Sequence, residues 1–198
     1  DPVTGGRVFA CRDVTERLDA QSAAEERVAH LRYAFDVAQS ALDLGPAEFL
    51  ERLDLVCTTI GTMLDADLVY VDRLDAPVAR LVNVGAYARG SAAPAMPRGE
   101  SVPLDALPAW IERLSSPAPV VAHDVALCDE GWADEKRRVL HGERSLMAMG
   151  MTAAGELFGV LGVAMMTTSR DWTDDEVTFL RVIAETIAHV LERARLDD

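Results

Sequence analysis

The chain has 198 residues, 49% of them apolar, 26% charged and 6% aromatic, an ordinary globular composition that excludes a disordered or collagen-like polymer. Acidic residues outnumber basic ones 33 to 19, giving a formal charge of −14, so a phosphate backbone would be repelled unless a concentrated basic patch offset that field. The nearest approach to such a patch, Lys136-Arg137-Arg138, follows Asp134 and Glu135 and reads as the solvated face of a short helix, so no nucleic-acid partner is expected.

Three scattered cysteines, Cys11, Cys57 and Cys128, form neither a disulfide framework nor a CxxC metal site. A reducing, cytoplasmic location without a metal is the expectation. The longest strongly apolar run, Phe158 to Met166, is short of the roughly 20 residues that cross a bilayer, so no membrane contact is expected either. The first residue is Asp1 rather than Met, which reads as a piece of a longer protein.

In chain order, a turn at Asp1–Gly6 precedes a short apolar segment, Arg7-Val8-Phe9-Ala10-Cys11, read as a strand, and then Arg12-Asp13-Val14-Thr15-Glu16-Arg17. This stretch resembles the last strand and exit motif of a PAS domain, which implies that the body of such a domain lies upstream. From Asp13 to Gly45 there is neither Pro nor Gly, and Val28, Leu31, Phe35, Ala38 and Leu42 alternate spacings of three and four, the pattern of a packed helical seam. The expected division is therefore residues 1–17 as PAS remnant, 18–45 as a linker or coiled-coil helix, and 46–198 as a separate domain.

Gly45-Pro46 ends the long helix, and a second helix places Phe49, Leu50, Leu53, Val56, Cys57, Ile60 and Leu64 on one broad face. Cys57 on that face reads as a small core residue. Strands at 67–74 and 80–87 form an antiparallel hairpin around Asp75-Ala76-Pro77. Arg89 to Pro103 reads as a loop, Leu104 to Leu114 as a short helix, Pro119 to Val125 as a strand, and Asp134 to His141 as a further helix. Ser145–Met151 and Leu157–Met165 flank the turn Ala153-Ala154-Gly155-Glu156 and read as central antiparallel strands. The closing helix starts at a capping box, Thr173-Asp174-Asp175-Glu176, and repeats Val177, Leu180, Ala184, Ile187, Leu191 and Ala194 in heptads. These elements make an α+β protein, an antiparallel sheet with helices on one side, preceded by a long N-terminal helix.

Gly142-Glu143-Arg144-Ser145, Ala154-Gly155-Glu156-Leu157, Gly159-Val160-Leu161-Gly162 and Arg170-Asp171-Trp172-Thr173 together resemble a bacterial GAF domain, from about Phe49 to Arg195. Where related domains carry a Glu-Trp pair after the second strand, this chain has Ala86-Tyr87. The resemblance implies a small molecule held between one sheet face and the helical excursion, and Tyr87, Trp110, His123 and His141 are the expected ligand contacts. Their aromatic faces and imidazoles suit a small, mostly apolar ligand. Haem would need an axial His or Cys, for which His141 is best placed as a minor alternative; no bilin is expected, since Cys128 is followed by Asp129 rather than His, and the cofactor is left open. With one lysine, Lys136, the cyclic-nucleotide signature of the family is missing.

The functional expectation is a non-catalytic sensor module of a multidomain bacterial signalling protein. It would pass a signal through dimeric helices to a GGDEF or GGDEF-EAL cyclic-di-GMP output domain in the same chain. The homodimer seam is assigned to Val28, Leu31, Phe35, Leu42, Ile187 and Leu191. Three alternatives stand beside it: a histidine-kinase sensor, a ligand-free dimerisation spacer, and a free methionine sulfoxide reductase. The last needs a low-pKa thiolate and a resolving thiol, whereas Cys57 is assigned to a core helix face and Cys128 has no close partner in sequence.

Overall fold

A computed structural model of the chain describes residues 3–90, 97–128, 131–139 and 142–197, with the backbone alone at 3–14, 16, 19, 136–139 and 197. Helix α1 (Val3–Asp43) runs for 41 residues and is stopped by the extended Gly45 and by Pro46, which opens α2 (Pro46–Glu51). The expected strand at Arg7–Cys11 lies inside α1. A lone strand has no neighbour to take up its N–H and C=O groups, whereas a helix satisfies them within the segment. The expected second helix is two, α2 and α3 (Leu53–Met63), broken at Arg52 where ψ is 1°.

Strands β1 (Leu68–Asp75), β2 (Arg80–Ala88), β3 (Ser101–Pro103), β4 (Val120–Ala122), β5 (Ser145–Ala153) and β6 (Glu156–Met165) form one sheet in the order β3-β2-β1-β6-β5-β4. Every pairing is antiparallel. The β5–β6 turn has Ala154 and Gly155 at φ of 50° and 82°, the two positive angles of the hairpin turn whose twist matches its strands. The segment expected as a loop from Arg89 to Pro103 contains β3, which pairs Arg80 with Pro103.

Helices cover both faces of the sheet, a correction to the one-sided arrangement expected. On the first face Val69, Val71, Met147, Met149, Leu161 and Val163 meet α2, α3, the closing helix α6 (Asp174–Asp197) and the C-terminal part of α1. On the second, Leu68, Tyr70, Leu146, Ala148, Val160 and Ala164 meet α4 (Pro108–Leu114) and α5 (Gly131–Val139). The reason is in β1 and β6, whose consecutive residues Leu68–Asp72 and Phe158–Ala164 are all buried; strands apolar on successive positions need cover on both sides. The end of α4 comes down on β5 at Gly150, where a Cβ would overlap the carbonyl oxygen of Leu114, so only glycine permits that approach.

Candidate functional site

The residues that punctuate the sequence before α6 are gathered into one clasp. Arg170 donates to the Leu64 carbonyl at the end of α3 and to Glu176 Oε1 at 2.5 Å, and its guanidinium lies 4.5 Å from the Trp172 ring centre. Trp172 donates its indole N–H to Ser145 Oγ at 2.8 Å, and Ser145 in turn donates to the Ala122 carbonyl on β4. The capping box forms as expected: Thr173 N–H donates to Glu176 Oε2 at 2.8 Å and Glu176 N–H to Thr173 Oγ1 at 3.3 Å. With Asp174, Asp175 and Glu176 in the first turn of α6, the positive end of the helix dipole is met by carboxylates. The clasp ties α6 to α3, β4 and β5, with the Trp172 indole bonded to Ser145 and the Arg170 guanidinium to Glu176 and the Leu64 carbonyl.

Beside the clasp, α1 lies along α6 in the same direction. Arg27 pairs with Asp175 at 2.5 Å near the start of α6, His30 stacks on Phe179 with ring centres 4.6 Å apart, and Arg193 donates to the Ala41 carbonyl at the far end. Ala34, Val37 and Ala41 are the buried residues of α1. The Asp175 carboxylate holds the Arg27 guanidinium above its ordinary pKa by hydrogen bond and charge. Between the helices runs an apolar groove of about 370 Å³, whose lining includes Leu31, Phe35, Phe179 and Val182 with Arg27 and Asp175 at its rim.

Residues 48–191 match the model of the GAF domain. The chain belongs to the GAF family. Among solved structures it is similar to the GAF domain of a phosphoenolpyruvate-protein phosphotransferase from Acinetobacter, at 14% identity and a TM-score of 0.64, over 85% of this chain and 95% of that one. It is similar also to the phycocyanobilin-bound GAF domain of a cyanobacterial phytochrome, at 17% identity and a TM-score of 0.67, over 86% and 96%. The GAF domain of the corresponding phosphotransferase (ptsP) of Coxiella burnetii gives 16% identity, a TM-score of 0.64, and 86% and 97%. At these identities the likeness is one of fold. No curated protein matches the chain in sequence.

Within this GAF domain the expected ligand residues are not brought together. Tyr87 on β2 lies over Gly61 of α3 on the first face, and Trp110 of α4 is fully buried on the second, 5.4 Å from the Trp132 ring. The sheet stands between them. His123, just after β4, is exposed; its Nδ1 accepts the Trp172 N–H at 3.2 Å and lies 3.1 Å from the Arg170 carbonyl oxygen, so it belongs to the clasp. His141 falls outside the described residues, and Cys128 is half-buried.

Of the seam residues, Val28, Leu31, Phe35 and Leu42 are 57%, 60%, 64% and 72% exposed, while Ile187 and Leu191 are 0% and 3% exposed. The last two are corrected to the core of the GAF domain, because α6 must cover β5 and β6 with that face. Cys57 is fully buried, and burial first, then Asp54 and Asp72, push its thiol far above the ordinary range. Reactive thiols are exposed and of lowered pKa, the opposite of this setting.

Sequence reading missed Glu135 of α5. Its buried carboxylate accepts the N–H of Ala109 at 3.0 Å and of Trp110 at 2.8 Å, closing the start of α4, where Leu107 offers no side-chain cap. It also missed the buried pair at the β1–β2 bulge, where Asn83 Nδ2 donates to Asp72 Oδ1 at 3.0 Å. Neither has a local signal, since each partner is distant along the chain. Among the described residues no cluster of His, Cys, Asp and Glu could hold a metal, and no helix is long and apolar enough to cross a membrane.

Proposed function

We propose that this GAF domain is a regulatory sensor module of a multidomain signalling protein, relaying a change of state between α1 and α6 to neighbouring domains. The observation that carries the reading is the parallel docking of α1 on α6 through Arg27–Asp175, His30–Phe179 and Ala41–Arg193. One helix reaches the domain at the end where the other starts, and they share a seam along which a shift of one must be answered by the other. The resemblance of residues 12–17 to a PAS exit motif supports an upstream sensor and, by the same analogy, a cyclic-di-GMP output downstream. The ligand in this reading is a small, mostly apolar molecule on the α4–α5 side, beside Trp110, and it acts by favouring one arrangement of the seam.

A second reading, a ligand-free spacer, is favoured by the packing of that same side. Trp110, Leu107, Tyr70 and Leu146 are fully buried and Trp132 nearly so, and such a core leaves little to displace. Native mass spectrometry of the purified chain, with hydrogen exchange on α1 and α6 before and after mild stripping, separates the two. A co-purifying small molecule whose removal changes exchange at residues 27–43 supports the sensor. A bare chain mass and unchanged exchange support the spacer.

A further inference from the structure

The imidazole of His123 is held where one ring nitrogen faces both a donor and an acceptor. Its Nδ1 lies 3.2 Å from the Trp172 backbone nitrogen, whose N–H points at it, and 3.1 Å from the Arg170 carbonyl oxygen. A ring nitrogen without a proton accepts and one with a proton donates, so each state serves only one of the two. The residue is fixed in place, since the Arg170 N–H donates to the His123 carbonyl at 3.2 Å. With 54% of the side chain exposed, protons reach the ring without any opening of the fold. We propose that His123 is a proton-operated latch on the entry to α6: the neutral ring holds the Trp172 N–H, and the protonated ring bonds the Arg170 carbonyl instead and releases that N–H. This goes beyond the sensor reading and does not depend on it.

The surroundings give each state its partner. Ser145 Oγ lies 3.0 Å from the Ala122 carbonyl and 3.3 Å from that of Arg170. Its one proton goes to the nearer oxygen, which leaves the Arg170 oxygen to receive a proton from the ring. The Asp171 carboxylate, 3.5 Å from Nδ1, adds charge complementarity to the protonated state alone. The other charged groups about the clasp are engaged elsewhere, Asp124 with Arg144 and the Ala126 N–H, and Arg170 with Glu176 and the Leu64 carbonyl. Histidine is the side chain that ordinarily changes charge between pH 5 and 8. When it does so here, two N–H groups face one another across the 3.2 Å to Trp172, and the backbone at Trp172 has to move away. The next residue, Thr173, caps α6, so the disturbance falls on the first turn of that helix.

The test uses the whole chain, isotopically labelled at nitrogen for NMR. At about pH 8 the His123 ring is expected in the Nε2–H form, with no hydrogen on Nδ1, in long-range nitrogen–proton spectra. Between about pH 8 and pH 5 the protection of the Trp172 amide against exchange, corrected for the intrinsic rate, is expected to fall in step with the His123 titration. The expected fall is about fivefold or more, the weight of one hydrogen bond. His123→Asn supplies an amide oxygen as acceptor but no titrating group, and is expected to keep Trp172 protected throughout this range. His123→Ala is expected to leave it poorly protected at every pH. An Nδ1–H form of the neutral ring overturns the proposal. So does protection at Trp172 that is unchanged across the range, or that falls equally in the parent and in His123→Asn. None of these results bears on the sensor reading, which is decided by the stripping and exchange experiment.

Discussion

Glu135 fastens the second face of the domain, and its removal tests how that face is held. Helix α4 is 7 residues long and starts at Pro108, too short to be stable by propensity. Its first free N–H groups are satisfied from α5, by the two carboxylate oxygens of Glu135 at 3.0 and 2.8 Å from Ala109 and Trp110. A hydrogen bond to a charged group contributes about 1.5 to 3 kcal/mol. Glu135→Ala breaks two and leaves the buried Trp110 N–H without an acceptor, so the expected loss is about 3 kcal/mol or more. For a chain of this size that lowers the melting temperature by about 6 to 12 °C. Glu135→Gln keeps one acceptor and turns an NH₂ group toward the other N–H, so it falls between parent and Ala variant. Urea unfolding followed by tryptophan emission measures both the free energy and the opening of the Trp110–Trp132 pair. An Ala variant within about 1 kcal/mol of the parent would refute the argument and show that the apolar face of α4 holds it without the carboxylate.

The clasp predicts that Trp172→Phe, which deletes the indole donor to Ser145, costs about 1 to 2 kcal/mol in the same assay, and that Ser145→Ala and Trp172→Phe together cost less than the sum of the two. Cys57 is expected to react with a thiol reagent only after unfolding, while the half-buried Cys128 reacts in the native chain. Since the folded thiol keeps its proton above the ordinary value of 9.0, the unfolded chain alone loses it there. The contribution of Cys57 is therefore present below that pH and lost above it, by up to about 1.4 kcal/mol per pH unit. Comparing the alkaline stability profiles of the parent and Cys57→Ala isolates this slope, and identical slopes would contradict the burial argument. Arg27→Ala is expected to speed hydrogen exchange in α1 from about residue 20 to 33 while leaving residues 37–43 protected by Val37 and Ala41.

What the sequence made legible was whatever is decided locally. The capping box at Thr173–Glu176, the β5–β6 turn, the β1–β2 hairpin and the stop at Gly45-Pro46 depend on a few consecutive residues, and each is in place. Periodicity was weaker where two structures accept the same pattern. Arg7–Cys11 is a short apolar run that a helix takes as readily as a strand. Ile187 and Leu191 share a heptad with residues of the proper kind, yet a heptad does not say whether the covering surface belongs to the same chain or another. The expected ligand residues are dispersed for a third reason: Tyr87 and Trp110 lie on opposite faces of one sheet, which no spacing along the chain reveals. Three-residue β3, ending in Pro103, carries too little pattern to stand out from a loop.

The strand order has a consequence for how the chain acquires its shape. The innermost pairing joins Leu68–Arg73 to Gly159–Ala164, so the middle of the sheet is built from the two ends of the domain. The β1–β2 hairpin can form early, but its β1 edge stays unpaired, with apolar residues on both faces, until β6 arrives. Contacts so far apart in sequence slow the search and make it cooperative. The sheet is complete only once β6 reaches β1, and until then the β1 edge is the part of the chain most exposed to wrong strands.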